Sequence, residues 1–265
     1  MDTQVAHAAR VYDYLLGGVD NFAVDREAAE RGAAALPGGL ERAQLMVRSQ
    51  RAFLASVVRC LAAEMGVRQF LDIGTGIPNA DNVHAVAQET APESRVVYVD
   101  NDPVVLAHAH TLLRSTPQGA TAYIHGDLRD PEPILNEAAE TLDFERPVAL
   151  VLVGILHLIR DEDDPCGIVA RLVDAVPSGS YLALSHLASD VEPELSEAMA
   201  RANETMSDPF VLRTRDDVVR FLDGLDVLGP GIVTLDRWPW CQGAEAVGCQ
   251  SDRPVAAYGS VGRKP

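Results

Sequence analysis

The chain is poor in cysteine, since its 265 residues include only four: Cys60, Cys166, Cys241 and Cys249. None of them forms a C-x-x-C pair, which excludes a zinc knuckle and a thioredoxin-type redox motif. Four cysteines in a chain of this length also make no disulfide scaffold, so we expect reduced, buried thiols. The length suits one large domain, or one domain with an appended cap.

Long hydrophobic runs are lacking as well. The longest, at residues 148–159, is interrupted by His157 and is too short to span a bilayer. The first residues, MDTQVAHAAR, have neither the basic region nor the apolar stretch of a signal peptide. These features predict a cytoplasmic protein with no membrane partner.

Basic residues are scarce, and Lys264 is the only lysine. The chain has 22 basic against 39 acidic residues, which gives a formal net charge of −17. A surface this acidic is unsuited to nucleic acid, whose binding needs a basic stripe. The charge is also uneven, because residues 1–69 contain as many arginines as acids. All of the net negative charge therefore lies after residue 69.

From residue 69 onward, short β-branched runs alternate with amphipathic stretches. Near-continuous hydrophobicity is typical of strands covered on both faces, as in a parallel sheet. The expected strands are 69–74, 95–100, 121–127, 148–154 and 181–186. The expected helices are 80–90, 103–114, 131–141, 164–175, 192–205 and 214–223. The alternation predicts a doubly wound, Rossmann-like α/β sheet.

The two ends of the chain depart from this alternation. Strand candidates at 231–235 and 254–261, with no helix between them, predict an antiparallel pair. The result is a seven-stranded sheet whose last strand is antiparallel. Residues 1–68 contain no good strand, and 40–65 have the pattern of one long helix. We therefore expect a helical N-terminal cap at 1–68 and an α/β domain at 69–265.

The strongest motif is FLDIGTGIP at residues 70–78. A buried strand carries Asp72 at its end, and Gly74 and Gly76, on either side of Thr75, let the backbone turn close to a ligand. Open α/β sheets bind ligands at this edge, although a G-x-G turn alone is as often structural. The third glycine of a dinucleotide fingerprint is replaced by Asn79, which favours a ligand without phosphates.

Carboxylates end the next two strands. Asp100 lies 24 residues beyond Gly76, close to the spacing of about 20 at which an acid binds ribose hydroxyls. Asp127 ends the third strand, where a carboxylate accepts a hydrogen bond from an exocyclic amine such as that of adenine. Asp102 and Asp130 each precede a proline, so we interpret both as helix caps. Together these strand ends predict one nucleoside-shaped site.

This combination resembles the class I S-adenosylmethionine-dependent methyltransferases. In that class the glycine turn faces the amino-acid part of the cofactor, the second acid contacts ribose and the third contacts adenine. RVYDYLLGGVDNFAVDR (10–26) and VVYVDNDPVVLAHA (96–109) extend the likeness to a bacterial family named S-adenosyl methyltransferases. The resemblance implies S-adenosyl-L-methionine as the cofactor and an N-terminal segment that folds over the cofactor cleft.

The resemblance also assigns cofactor contacts to individual positions. The implied cofactor-binding residues are Tyr14, Asp72, Gly74, Thr75, Gly76, Asp100, Asn101, Asp127, Leu128, Gly154 and His157. Tyr12 and Asn21 are further candidates to line the pocket beneath the cap. For each of these cap residues, packing within the cap is the alternative.

Two histidines at strand ends are candidate catalytic bases. By resemblance, Gly154 to His157 at the end of the fourth strand face the reactive methyl group, and His186 ends the fifth strand. A base is needed only if the acceptor must lose a proton, so the alternatives of a hydrogen-bond partner or a pocket wall stay open. The acidic run 161–164 lacks EF-hand spacing and glycine, and no metal site is predicted.

Three functions are compatible with these features, and each of them allows a homo-oligomer. Methyl transfer to a small-molecule acceptor is favoured, because a neutral cap precedes an acidic cofactor domain and the charge disfavours nucleic acid. The second is a non-catalytic S-adenosylmethionine-binding sensor. The third is a nicotinamide-dependent oxidoreductase, against which stand Asn79 and the lack of a Tyr-x-x-x-Lys pair.

Overall fold

The computed structural model describes residues 4–78, 81–105, 107, 115–203, 209–238 and 254–265. Within these ranges, eight strands form one sheet. They are β1 Gln69–Ile73, β2 Arg95–Asp100, β3 Ala120–His125, β4 Ala149–Val153, β5 Tyr181–Leu187, β6 Asp226–Val227, β7 Val233–Thr234 and β8 Ala257–Arg263. Their order is β3-β2-β1-β4-β5-β8-β6, and β7 pairs with β8 off this path.

Strands β1 to β5 run parallel, and β8 is antiparallel to both β5 and β6. The predicted α/β fold with an antiparallel finish is thereby confirmed. The strand expected at 231–235 is shortened to β7, and β6 is an addition to the seven predicted strands. Strand β6 has only two residues and therefore no hydrophobic period that the sequence pattern could reveal.

Helices cover both faces of the sheet. They are α1 Ala8–Leu16, α2 Ala23–Ala34, α3 Gly39–Ala63, α4 Val83–Thr90, α5 Pro131–Ala138, α6 Pro165–Asp174, α7 Pro193–Asn203 and α8 Arg215–Val219. Most lie close to the predicted ranges, whereas the helix expected at 103–114 falls largely outside the described residues. The sheet separates two clusters of buried apolar side chains, as a doubly wound architecture requires.

The long helix α3 shares its core with the sheet. Its Phe53 packs in one apolar cluster with Phe70 of β1 and Tyr98 of β2. Helices α1 and α2 pack against α3 and against each other, and a buried ion pair joins Arg10 Nε to Asp25 Oδ1 at 3.3 Å. The domain boundary at 68/69 stays a prediction. Since α3 belongs to the core of the sheet, we propose that α1 and α2 alone form the cap.

The two aspartates predicted to cap helices behave differently. Asp102 Oδ1 accepts a hydrogen bond from the N–H of Val104 at 2.8 Å, so its capping role is confirmed. Asp130 occupies the N-cap position of α5, but its side chain makes no capping hydrogen bond, so that part of the prediction is wrong. At the start of α6, Asp164 accepts from the N–H of Gly167 at 3.1 Å.

The cysteines only partly match the expectation of reduced thiols. Cys166 is a free thiol but only half-buried, whereas Cys60 is disulfide-bonded. Cys241 and Cys249 lie outside the described residues. The expectation is wrong at Cys60 because cysteine spacing along a sequence does not reveal which thiols meet in the fold.

The only lysine of the chain closes the C-terminal end of α6. Lys264 Nζ donates to the carbonyl oxygens of Val173, Asp174 and Val176 at 3.0, 3.4 and 2.8 Å. Carbonyls at a helix end have no intrahelical donor. Lys264→Met is therefore expected to lower the free energy of unfolding in urea by about 1–2 kcal/mol. Arg31→Met, which removes a cation with 69% of its side chain exposed, should cost less than about 0.5 kcal/mol, and equal losses would contradict this role.

Candidate functional site

The loop after β1 is a tight turn at the carboxyl edge of the sheet. Gly74 and Gly76 have φ angles of +79° and +66°, which residues with a β-carbon rarely adopt. The N–H of Gly74 donates to the carbonyl oxygen of Val99 at 2.9 Å, and the Thr75 hydroxyl donates to that of Asp72 at 3.1 Å. The turn therefore joins the ends of β1 and β2, and its backbone requires both glycines.

Asp100, the last residue of β2, is oriented by this turn. Its Oδ2 accepts from the N–H of Gly76 at 2.8 Å, and its Oδ1 accepts from the N–H of Asp102 at 2.9 Å. Burial raises the pKa of Asp100, and these two hydrogen bonds oppose the rise. Each carboxylate oxygen retains acceptor capacity for a ligand hydroxyl. Asn101, the next residue, is exposed.

Asp72 is a buried carboxyl group near the end of β1, with 5% of its surface exposed. Burial raises the pKa of Asp72 to about 7, the nearby Arg51 guanidinium opposes that rise, and the negative charge of Asp100 adds to it. Arg51 comes from α3, and its Nη2 donates to the carbonyl oxygen of Asp81 at 2.8 Å. The charge of Asp72 therefore depends on pH close to neutrality.

The end of β3 is more open to solvent. Asp127 is paired with Arg129, whose Nη1 lies 3.0 Å from its Oδ2, and Arg129 Nε lies 3.1 Å from Asp163 Oδ2. Leu128 is buried beside this pair, with 4% exposed. Because β2 and β3 run parallel in adjacent positions, Asp127 lies at the same edge as Asp100.

The N-terminal segment reaches the end of β2. His7 Nδ1 lies 2.9 Å from Asp102 Oδ2, and the backbone N–H of His7 donates to Asp25 of α2 at 3.0 Å. His7 also opposes, through its electrostatic interaction, the rise in the pKa of Asp100 that burial causes. His7, the residue directly before α1, therefore connects the cap to the end of β2, where Asp100 is the candidate ribose-binding residue.

The three cap residues implied by the resemblance make contacts within the N-terminal region. Tyr14 Oη donates to Glu30 Oε1 at 2.8 Å, on the exposed side of α1 and α2. Tyr12 Oη donates to a carbonyl oxygen of α3 at 3.1 Å, and Asn21 Nδ2 donates to Asp13 Oδ2 at 2.8 Å. These bonds join α1 to α2 and to α3, as the packing alternative expects. A cofactor contact at Tyr14 stays a prediction.

Helix α3 crosses the end of β4. Gly154 has a φ angle of +78°, and its N–H donates to Ser185 Oγ at 2.9 Å. Gln50 Oε1 of α3 lies 2.5 Å from the position that a Cβ would take at Gly154, so a larger residue there would collide with it. The Ile155 side chain lies 2.7 Å from the corresponding position at Gly74. The ends of β1 and β4 therefore meet beneath α3.

His157 lies just beyond β4, in the 3-10 turn Leu156–Leu158, and is buried with 7% exposed. Its Nδ1 has no hydrogen-bond partner in the described part of the chain. Burial, with smaller contributions from His186 and Arg213, lowers the pKa of His157 to about 3. The ring is neutral at pH 7 and holds a proton poorly, so hydrogen bonding suits it better than general base catalysis.

His186, the other candidate base, has a partner at each ring nitrogen. Nδ1 lies 2.8 Å from the carbonyl oxygen of Leu187, and Nε2 lies 2.7 Å from Nη1 of Arg213. Because arginine only donates, Nε2 is the acceptor and Nδ1 carries the proton. Burial lowers the pKa of His186 to about 4. This arrangement gives His186 a structural role and leaves no nitrogen for a substrate.

Three residues at these strand ends are not among those that the sequence pattern predicts: His7, Gln50 and Arg51. A signal for Gln50 does exist, because it is a polar residue on the apolar face of α3, between the buried Met46 and Phe53. His7 and Arg51 carry no such signal, since their partners at the sheet edge lie far away in the sequence.

The acidic run 161–164 is used in local contacts. Asp163 pairs with Arg129, and Asp164 caps α6. Within the described ranges, no group of three or more His, Cys, Asp or Glu side chains is placed to hold a metal ion. Over the same ranges, every helix is too short or too polar to span a bilayer.

Comparisons with known proteins find relatives over the full length of the chain. A protein-family model described as S-adenosyl methyltransferase matches residues 1–265. A DUF574 family protein from Streptomyces avermitilis MA-4680 is 44% identical, with 100% of this chain and 99% of that chain covered and a TM-score of 0.92. A protein from Thermobifida fusca YX, described as a candidate methyltransferase, is 36% identical, with 98% and 95% covered and a TM-score of 0.85.

More distant structures share only the fold. An O-methyltransferase family protein from Burkholderia thailandensis is 15% identical, with 85% of this chain and 58% of that chain covered and a TM-score of 0.54. No curated protein matches the sequence.

Proposed function

The chain belongs to the S-adenosyl methyltransferase family and its cofactor is S-adenosyl-L-methionine, and from this we propose that it methylates a small-molecule acceptor. The observation that carries the proposal is the cover over the strand ends, where His7 contacts the end of β2 and α3 crosses the end of β4. A covered edge favours a small acceptor over a nucleic acid or a protein chain. The net charge of −17 further disfavours nucleic acid.

The residues at the sheet edge fit the cofactor. The turn at 74–76 brings backbone close to a ligand, and the buried carboxyl group of Asp72 beside it suits the cationic end of the cofactor. We place the amino-acid end of the cofactor at this turn. Asp100 and Asn101 then lie at the ribose, and Asp127 and Leu128 lie at the adenine.

When bound, S-adenosyl-L-methionine supplies an activated methyl group together with its own leaving group. The protein therefore has to align an acceptor and exclude water, and neither task requires a catalytic dyad. In this proposal Gly154 and His157 lie on the acceptor side of the β4 end. The neutral ring of His157 offers a hydrogen bond to the acceptor, and any proton that the acceptor loses passes to solvent.

Transfer from labelled S-adenosyl-L-methionine into a cell extract tests this function. The extract is separated into low-molecular-weight and macromolecular fractions, and the label is expected in the former. Label in the macromolecular fraction would contradict the acceptor class. Tight cofactor binding without transfer into either fraction would favour the non-catalytic sensor, and binding of NAD in place of S-adenosyl-L-methionine would favour the oxidoreductase.

Asp100→Asn is expected to weaken binding of S-adenosyl-L-methionine by about ten- to a hundredfold, because a charged hydrogen bond to ribose is lost. Isothermal titration calorimetry measures the dissociation constant. The control is Asp130→Asn, at the N-cap of α5, where the side chain makes no capping hydrogen bond and no change is expected. An unchanged dissociation constant in Asp100→Asn would remove this residue from the ribose site.

A further inference from the structure

Gln50 of α3 is a buried polar side chain with an unmatched acceptor atom. It is 4% exposed, and its Oε1 has no hydrogen-bond partner among the residues that the structure describes. Its neighbours on the same helix face, Met46 and Phe53, belong to the apolar core. A buried carbonyl oxygen without a donor destabilises the folded protein, whereas a leucine would fill similar space without that cost. A donor group on a bound ligand would satisfy this atom.

The position of Gln50 indicates which part of a ligand it would meet. Its Oε1 lies against Gly154 at the end of β4, and Ile155 packs against Gly74 of the turn after β1. The amide oxygen therefore lies where the ends of β1 and β4 adjoin. In the cofactor placement proposed above, the amino-acid end of S-adenosyl-L-methionine occupies this edge.

The next residue of α3, Arg51, brings a cation to the same edge. Its charge acts on the buried carboxyl group of Asp72, and its Nη2 donates to the carbonyl oxygen of Asp81. An amino-acid zwitterion needs acceptors for its ammonium group and a cation for its carboxylate. Gln50, Asp72 and Arg51 together provide both.

We propose that Gln50 Oε1 accepts a hydrogen bond from the ammonium group of S-adenosyl-L-methionine and that Arg51 attracts its carboxylate, so that α3 recognises the amino-acid end of the cofactor. This role requires the family's cofactor and the placement of its amino-acid end, but it does not depend on the methyl acceptor. The apolar residues of α3 build the core, while two adjacent polar residues select the ligand.

Two ligands isolate this role: S-adenosylhomocysteine, which has the amino-acid end, and 5′-methylthioadenosine, which lacks it. Isothermal titration calorimetry at pH 8 compares the wild type with Gln50→Leu and Gln50→Glu. Gln50→Leu is expected to weaken the binding of S-adenosylhomocysteine by about tenfold or more. The same variant should weaken the binding of 5′-methylthioadenosine by less than about twofold. Gln50→Glu keeps an acceptor oxygen, so its affinity for S-adenosylhomocysteine should stay within about threefold of the wild type or increase.

Gln44→Leu, the same substitution at a half-buried position of α3, is the matched control and should leave both affinities unchanged. Urea unfolding verifies that the variants fold, and Gln50→Leu should be at least as stable as the wild type because an unmatched carbonyl is removed. Arg51→Met provides an independent test and should show the same ligand selectivity as Gln50→Leu.

Two results would overturn the proposal. One is that Gln50→Leu weakens the binding of both ligands equally, which would mean that Gln50 acts through the fold or contacts the adenosine half of the ligand. The other is a loss of S-adenosylhomocysteine affinity in Gln50→Glu as large as in Gln50→Leu, which would mean that the amide donates instead of accepting. A wild type that binds neither ligand would instead contradict the cofactor assignment.

Discussion

Replacing Arg213 by methionine is expected to lower the free energy of unfolding by about 3–5 kcal/mol. Arg213 is 6% exposed. Its guanidinium donates to the carbonyl oxygens of Leu156 and Ile159 at 3.2 and 3.0 Å and to His186 Nε2 at 2.7 Å. Methionine fills much of the space but has no donor, so three acceptors in the interior lose this partner at once.

The carboxylate partner of Arg213 should matter much less. Asp161 has 80% of its side chain exposed, so water solvates it when the arginine is removed and no buried charge is left. Asp161→Asn is therefore expected to cost less than about 1 kcal/mol. Urea unfolding measures both variants, with Arg201→Met at a 67% exposed position as the baseline. Equal losses in Asp161→Asn and Arg213→Met would assign the stabilisation to the ion pair instead of the buried acceptors.

Arg213 also holds in place the turn that carries His157. Its backbone N–H donates to the carbonyl oxygen of Leu187 at the end of β5, at 3.2 Å. Its side chain holds Leu156 and Ile159, which lie on either side of His157 in sequence. The arginine therefore fixes the turn after β4 relative to β5, the region where the acceptor is proposed to bind.

The sequence predicts the part of the candidate site that lies at the strand ends. Asp72, Gly74, Gly76 and Asp100 follow from local patterns, because a buried strand, a glycine turn and a second strand are each visible in the sequence. The carboxyl ends of parallel strands share one edge, so these residues had to be neighbours. The hydrogen bond from the N–H of Gly76 to Asp100 Oδ2 shows that the ends of β1 and β2 are adjacent.

Contacts made by the N-terminal helices could not be found in this way. His7 contacts Asp102, which lies far from it in the sequence, and neither residue interrupts a hydrophobic pattern that would mark it as unusual. The sequence predicts a candidate base at His186 because it does not show the partner, Arg213, which lies 27 residues away in a segment without a periodic pattern. Gln50 is intermediate, since a polar residue on an apolar helix face is visible in the sequence while its position over Gly154 is not.

Asp72→Asn is expected to flatten the pH dependence of stability in the cofactor-free protein. The pKa of Asp72 is about 7 in the folded state against an ordinary value of 3.8, because the carboxyl group is buried. Between these values the folded state binds more protons than the unfolded state, so stability falls as pH rises. From pH 5 to pH 8 the fall due to Asp72 is about 2–3 kcal/mol. Urea unfolding at both pH values should show a decline smaller by this amount in Asp72→Asn.

Cofactor affinity should depend on pH in the opposite sense. A cationic cofactor favours the ionised carboxyl group, so binding below pH 7 releases a proton from Asp72. The affinity of the wild type for S-adenosyl-L-methionine is expected to rise about tenfold from pH 6 to pH 8. In Asp72→Asn the affinity at pH 8 should be lower by about tenfold or more, and this pH dependence should disappear.

Calorimetry in two buffers of different ionisation enthalpy counts the protons released on cofactor binding and so tests whether Asp72 is the group that releases them. Near pH 6.5 the wild type should release most of one proton and Asp72→Asn none, while Asp130→Asn, on an exposed helix cap, should behave as the wild type. If proton release persists in Asp72→Asn, the titrating group is Asp100 instead, since burial raises the pKa of Asp100 as well. Because ionised Asp72 destabilises the free protein and stabilises the complex, the cofactor should raise the unfolding free energy more at pH 8 than at pH 6.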